Sequence, residues 1–357
     1  MLQVSLLSLF TLPLLLFATE EPATSPVPKV SICIPVYDSE PYLPTALDSA
    51  LAQTLNEVEI VCVDDGSTDG SLAILKSYAE KYPEKITVLE NGTNRGTCYS
   101  RMRAILASRG EYILWLDSDD VLFPRTAEYS YGAAVENGAD VIQFSRRTSR
   151  YNKKREQPSD LKMAESPGKP RCRSCPQKPI HMLAYGKISL YVWDKLWKGE
   201  SLREMAERIL PFAAENRIIK SEDNFFCWNA LRNASKCLLM NYVGIEHRTN
   251  TGLAAKKGGS LNFKRQYLEG ATIYSKFFLN NEKDPQIQKM YAGWHITNSF
   301  ILNVLLEFPF EEGAEKFATY LTAYPEELRP IVCEVVKKRK SAWYNRVVAA
   351  GYLQPSP

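Results

Sequence analysis

Three acidic groups in this 357-residue chain could do chemistry, and the tightest, Asp117-Ser118-Asp119-Asp120, closes an apolar run from Tyr112 to Leu116. Carboxylates this close raise one another's pKa unless a cation sits among them. Asp-x-Asp therefore reads as a hard-metal site, in which one or two carboxylates hold a divalent ion whose other positions go to water and phosphate. The same four residues also read as an Asp-rich turn capping the next helix. The second group, Asp64-Asp65-Gly66-Ser67-Thr68-Asp69, again follows an apolar run. The third, Glu222-Asp223, follows Ser221, a natural cap, and two acids in a helix's first turn are favoured by the helix dipole alone.

The elements that must position these groups follow from hydrophobic spacing. Val30 to Ile34 is a short apolar strand broken by Pro35-Val36-Tyr37-Asp38, and Leu43, Ala46, Leu47, Ala50 and Leu51 then recur at helical spacing. Glu59 to Val63 is a second strand. Gly66 gives its tight turn, and Ser67 or Asp69 caps a helix bearing Leu72, Leu75 and Tyr78. Ile86 to Leu89 is a third strand, Asn94-Arg95-Gly96 turns into a helix bearing Arg101, and Tyr112 to Leu116 is a fourth strand, buried on both faces. A helix from 125 to 137 and a strand from Val141 to Phe144 complete the alternation. Strands alternating with helices predict a mostly parallel sheet, with ligands in the crevice beyond the strands' carboxyl ends.

The flanks are less regular. Residues 1–18 are almost wholly apolar or hydroxylated, and a Pro/Ser/Thr-rich stretch follows through Pro28, so 1–28 reads as a secretory signal, or a marginal membrane anchor, plus linker. That would place the protein in the secretory pathway or at a membrane, and in the cytoplasm if residues 1–18 are not a functional signal. Residues 146–179 are rich in Arg, Lys, Ser and Pro and read as a mobile insertion. From 251 to 357 the chain reads as helices near 263–281, 285–307 and 311–340, with Trp294, Phe300, Leu305 and Phe317 in the core. A net charge of +3 over the whole chain gives no case for nucleic acid as a partner. Of the eight cysteines, Cys33 and Cys62 fall in buried strands. Cys172 and Cys175 form a lone CxxC, read as a short disulfide or as nothing. Asn91 and Asn233 begin glycosylation sequons that matter only on the secretory route.

Six stretches in order, SICIPVYDSEPYL, VCVDDGSTDGS, NRGTCYSRMRAI, EYILWLDSDDVLFP, VWDKLW and SEDNFF, resemble the family 2 glycosyltransferases over residues 29 to about 250. That family consists of inverting, metal-dependent enzymes with the GT-A fold. The resemblance implies an α/β, Rossmann-like, mostly parallel sheet flanked by helices, with a helical C-terminal region. It implies transfer of a sugar from a nucleotide diphosphate sugar, UDP-linked, to a glycan or lipid-linked acceptor, with Mn2+ or Mg2+ as cofactor.

By motif, Pro35, Val36, Tyr37 and Asp38 resemble the loop holding the base, and Asp65 the carboxylate that hydrogen-bonds uracil. Arg101 resembles the basic residue near the nucleotide. Asp117 would face the ribose or share the metal, Ser118 lies beside it at the nucleotide, and Asp119 would bind the metal, with His247 a third ligand. Asp223 is the implied base and Glu222 its fallback, whereas Asp120 reads as helix-capping. Trp193, Lys195 and Trp197 resemble the acceptor-side motif, where Trp193 would stack on a sugar or pack the core. Ser100-Arg101-Met102 departs from the family's Ala-Arg-Asn, keeping the Arg and lacking the Asn. Two other readings stand beside this one. A GT-A nucleotide- or glycan-binding protein without turnover would lose one of Asp65, Asp119 and Asp223, all present here. A nucleotidyl enzyme would want a Gly-rich loop after the first strand, where Pro35 to Asp38 stand instead.

Overall fold

The computed structural model describes residues 27–150, 170–217, 222–249, 251, 261–298 and 301–353. The signal at the N-terminus, the centre of the 146–179 insertion, Ser221, Phe300 and the Trp294 side chain lie outside the described residues. Strands β1 (Val30–Val36), β2 (Val58–Asp64), β3 (Ile86–Glu90) and β4 (Tyr112–Trp115) alternate with helices α1 (Leu43–Leu51), α2 (Ser71–Lys81) and α3 (Thr97–Ala107). They pair in parallel in the order β3-β2-β1-β4. Their apolar runs are buried because helices cover the sheet. Ile32, Ile34, Val61, Ile113 and Leu114 are at most 1% exposed, and each such side chain contributes about 1.5–3 kcal/mol of burial.

β1 runs two residues further than its Pro35 suggested, taking in Val36 opposite Asp64. Residues along a parallel strand bond alternately to the two neighbours, and Cys33 faces β4, its carbonyl accepting from Leu116 N at 3.1 Å. Pro35 therefore faces the same side, where β4 has already ended at Trp115, and its missing N–H costs nothing. Pro35 and Val36 thus belong to the strand, and only Tyr37 and Asp38 begin the loop.

Beyond β4 the sheet is mixed. β5 (Val121–Leu122), α4 (Thr126–Asn137), β6 (Val141–Arg150), β7 (Cys172–Ser174), α5 (Pro179–Ala184), β8 (Lys195–Lys198), α6 (Gly199–Glu215), α7 (Glu222–Leu231) and β9 (Cys237–Thr249) follow. β8 inserts antiparallel between β4 and β6, β9 lies parallel to β6, and β5 and β7 pair antiparallel with β9. The expected parallel pattern therefore holds for the first four strands and gives way where the chain returns as β8. VWDKLW supplies that strand and its fully buried Lys195. The Lys195 ammonium is consumed by Ser189 Oγ, the Tyr191 carbonyl and Asp194 at 2.8, 2.5 and 2.6 Å. Trp197 is equally buried, its indole N–H donating to the Val192 carbonyl at 3.1 Å, so both residues serve the fold.

The C-terminal region packs α8 (Leu261–Asn281), α9 (Pro285–Asn298), α10 (Ile301–Leu306), α11 (Phe310–Leu321), α12 (Arg329–Arg339) and α13 (Ser341–Ala349). Leu305 and Phe317 are fully buried, as expected. The helix expected over 311–340 is interrupted near Pro325 and Pro330, because proline cannot donate into a helix interior. No described helix is long and apolar enough to cross a membrane.

Candidate active site

Side-chain hydrogen bonds link the carboxyl ends of β1, β2 and β4, and Arg101 on α3 joins the last of these to the first turn of α7. Arg101 is 3% exposed, yet its guanidinium reaches two carboxylates far apart in sequence. One Nη donates to Asp117 Oδ1 at 3.2 Å and the other to Asp223 Oδ1, while the group lies over the Trp115 ring. The two carboxylates raise the Arg101 pKa against the opposing effect of burial. The residue expected near the nucleotide thus joins the acidic turn to the α7 acids. Asp223 Oδ2 makes no hydrogen bond among the described residues. Glu222 lies in the same turn, its charge felt at Arg101, Cys98 and Tyr274.

The acidic turn is held from both sides. Ser118 Oγ shares a 2.7 Å hydrogen bond with Ser39 Oγ, which donates to the Tyr37 carbonyl at 3.0 Å. Ser118 therefore ties the turn to the loop after β1. Asp120 corrects the sequence reading, because no helix begins there. Its N–H donates to the Asp117 carbonyl at 3.0 Å, β5 follows, and its fully buried carboxylate meets His247 Nδ1 at 3.2 Å and the Arg248 N–H at 2.8 Å. Burial pushes the Asp117 carboxyl up to about 6, with Asp223 and Asp119 adding to the rise and Arg101 opposing it. Burial likewise raises Asp119, with Asp120 adding to it.

A divalent cation would relieve that crowding, but the expected trio of Asp117, Asp119 and His247 is not gathered as a set of ligands. Among the described residues no group of three or more His, Cys, Asp or Glu could hold a metal by itself. Two contacts explain this. Arg101 already sits on Asp117, and His247 turns Nδ1 to Asp120, whose hydrogen bond raises the imidazole pKa. The donor set fits an ion carried in with a diphosphate and gripped by one or two carboxylates, rather than one caged by protein.

At the carboxyl end of β2 the two adjacent aspartates divide the work. Asp64 Oδ2 accepts from Gly66 N at 3.1 Å and Ser67 N at 3.2 Å, the turn role, while Oδ1 is buried without a hydrogen bond. Asp65 is 4% exposed and already engaged, accepting from Asn91 Nδ2 at 2.7 Å, Arg95 N at 2.8 Å and Gly96 N at 2.9 Å. It fixes the loop into α3; Oδ1 takes two of these bonds and is filled, and Oδ2 retains a single lone pair for a ligand. Asp38 has φ of +46°, the one positive value among described non-glycine residues. Such strain persists where surroundings enforce it, and here Thr68 N and Oγ1 hold the carboxylate at 2.8 and 3.2 Å. Burial and neighbouring Asp38 raise the Tyr37 phenol.

Before β8, Trp193 is 3% exposed and stacked on both Tyr191 and His247, at 4.8 and 4.9 Å. It packs rather than offering a face to sugar. The exposed ring is Tyr191, with the Arg146 guanidinium 4.4 Å from its centroid. Neither of these was legible as a site residue, nor was Asn91, whose amide also donates to Ser100 Oγ at 2.9 Å. Asn91 could have been found by position, since it directly follows β3 at the same sheet edge as Asp64. Its sequon nitrogen is committed to these bonds.

Residues 31–191 match the family described as Glycosyl transferase family 2. A poly(ribitol-phosphate) beta-glucosyltransferase of Bacillus spizizenii is 28% identical over 322 residues, which span 87% of this chain and 48% of that protein. The chain thus spans about half the length of that relative. The uncharacterized glycosyltransferase EpsJ of Bacillus subtilis is 27% identical over 258 residues, 71% of this chain and 72% of EpsJ. Among solved structures, residues 1–349 of S. aureus TarS in complex with UDP-GlcNAc superpose with a TM-score of 0.62 at 20% identity, covering 90% of this chain and 91% of that one. At that identity the likeness establishes the shared fold.

Proposed function

We propose, for a chain that belongs to the family 2 glycosyltransferases and carries their GT-A fold, that it moves a sugar from a UDP-linked donor to an acceptor hydroxyl with inversion at the anomeric carbon. The observation that carries this reading is Arg101 spanning Asp117 and Asp223, because it draws the acidic turn after β4 and the first turn of α7 to opposite sides of one guanidinium. A donor diphosphate lying on the turn would then present its anomeric carbon toward α7. Asp223 is the base. As the acceptor oxygen bonds to the anomeric carbon, the bond to the diphosphate breaks on the opposite face, and the acceptor's proton passes to the carboxylate.

Arg101 holds Asp223 by Oδ1, which leaves Oδ2 for the incoming hydroxyl. Asp65 and the loop it fixes, with Tyr37 and Asp38, form the nucleobase end. A divalent ion, Mn2+ or Mg2+, held by Asp119 and Asp117 and completed by the donor's phosphates, would neutralise the leaving group's charge. Support for UDP comes from TarS, solved with UDP-GlcNAc and with UDP. Support for a polyol-phosphate or glycan acceptor comes from the Bacillus spizizenii relative's name.

Two measurements test this. Calorimetric titration of UDP with and without Mn2+ is expected to show metal-dependent affinity that Asp119→Ala abolishes; unchanged affinity in that variant removes Asp119 from the metal site. Slow turnover of UDP-hexoses and UDP-N-acetylhexosamines to free UDP, by transfer to water, is expected to mark a working site. Binding without release from any donor would instead favour the non-catalytic reading.

A further inference from the structure

Three cysteines meet where the 146–179 segment rejoins the sheet, and the pairing that the sequence offered is the wrong one. β7 contains Cys172 and leads into Cys175, whose N–H still bonds across to β9 at the Cys237 carbonyl, 3.0 Å away. An extended strand advances about 3.3 Å per residue, so Cys172 and Cys175 stand roughly 10 Å apart, beyond the reach of a disulfide. The antiparallel register runs Cys172 to Met240, Arg173 to Leu239 and Ser174 to Leu238, and its next step sets Cys175 directly opposite Cys237. Directly opposed residues of this hydrogen-bonded kind have Cα atoms about 5.5 Å apart, within the range that disulfides span. Both thiols are free, and their proximity lowers the Cys175 thiol while raising that of Cys237.

We propose that Cys175 and Cys237 form an intramolecular disulfide that staples the end of the 146–179 segment to β9. The inference is independent of the glycosyltransfer reading. The oxidant is a small-molecule disulfide. The Cys175 thiolate attacks one of its sulfurs and expels one thiol. The Cys237 thiolate then attacks the Cys175 sulfur of the mixed disulfide and expels the second. Two protein thiols and one disulfide become one protein disulfide and two small thiols. Cys175 is the entering group because it is partly exposed and its thiol is lowered by the neighbouring Cys237, which is itself 1% exposed. The link would fix one wall of a pocket of about 810 Å³ lined by Arg173, Ser174, Met182 and Leu239.

The test is peptide mapping by mass spectrometry without reduction, on full-length protein equilibrated with oxidised and reduced glutathione. The expected result is a Cys175–Cys237 linked peptide with Cys172 still alkylatable. The melting temperature should fall on adding reductant in the wild type and in Cys172→Ser, and stay unchanged in Cys175→Ser. A Cys172–Cys175 link, or free Cys175 and Cys237 at an oxidising ratio, would overturn the assignment. Because Cys175 is partly exposed, its Ser variant is the one expected to fold if Cys237→Ser does not.

Discussion

Arg101 in the sheet domain and His295 in the C-terminal helices are both buried, at 3% and 1% exposure, and both sit among hydrogen-bonding side chains. Their surroundings differ in one respect. The two carboxylates on Arg101 keep 28% and 30% of their side-chain surface exposed. The partners of His295 are sealed. Its Nδ1 lies 2.6 Å from the Tyr320 hydroxyl and 3.1 Å from Ser275 Oγ, with Tyr291 stacked on the ring at 4.6 Å. One cluster buries a charge and leaves its counter-charges exposed where a ligand can reach them. The other buries a neutral network that no solute can reach, which serves packing and specificity. An open edge to a buried polar cluster, rather than burial itself, separates a site from a core.

The contrast predicts that variants in the open cluster change rates and variants in the sealed one change stability. The largest effect is expected from Asp223→Asn, which removes the proposed base and should lower kcat by about a hundred- to ten-thousandfold while UDP binding stays within a few-fold. Near-normal rates in a coupled UDP-release assay would pass the role to Glu222.

His295→Ala comes next and acts in the opposite way. It empties the space of a fully buried ring and takes one partner each from Tyr320 and Ser275, which keep Tyr324 and Tyr291, and such a large-to-small core change costs about 2–5 kcal/mol. Thermal unfolding should show that loss, with kcat at 25 °C unchanged; a large kcat defect would break the distinction. Arg101→Lys is expected to cost about tenfold in kcat, near 1.4 kcal/mol, since a single ammonium cannot reproduce a guanidinium's two-pronged span. Calorimetric unfolding alongside kinetics tells whether stability moves more than rate, which would make Arg101 a structural ion pair.

The smallest effect is one of pH. Burial pushes His295 down from 6.5 to about 3, so the unfolded chain takes up this proton near pH 6.5 while the native one refuses it until about pH 3. The stability this group supplies is therefore present above pH 6.5 and lost progressively as the pH falls below it. Comparing melting temperatures at pH 7.5 and 5.5 in the wild type and His295→Gln, the drop should be smaller in the variant. Equal drops would mean that other groups carry the acid sensitivity.

The N-terminal half was the more legible because its signals are local. Apolar runs such as Tyr112 to Leu116 fix a strand, the acids after them mark its tip, and parallel pairing of β1, β2 and β4 then sets those tips along one edge. Leu305 and Phe317 were readable as core for the same reason. The loop residues Asp38 and Ser118 were placed correctly at that edge, but their partners Thr68 and Ser39 were invisible to spacing.

What the sequence determined by itself was where the acidic groups stand: at strand tips in an α/β sheet, with a further acidic pair opening a helix. The tertiary structure alone decided which charges meet. Arg101 reaches Asp223 across 122 residues, Asp120 takes His247 across 127, and Cys175 faces Cys237 rather than its neighbour in the CxxC. Periodicity reports which face of an element is buried, within one element. A salt bridge or thiol pair between elements depends on strand order and register, and those follow from how β8 and β9 fold back into the sheet.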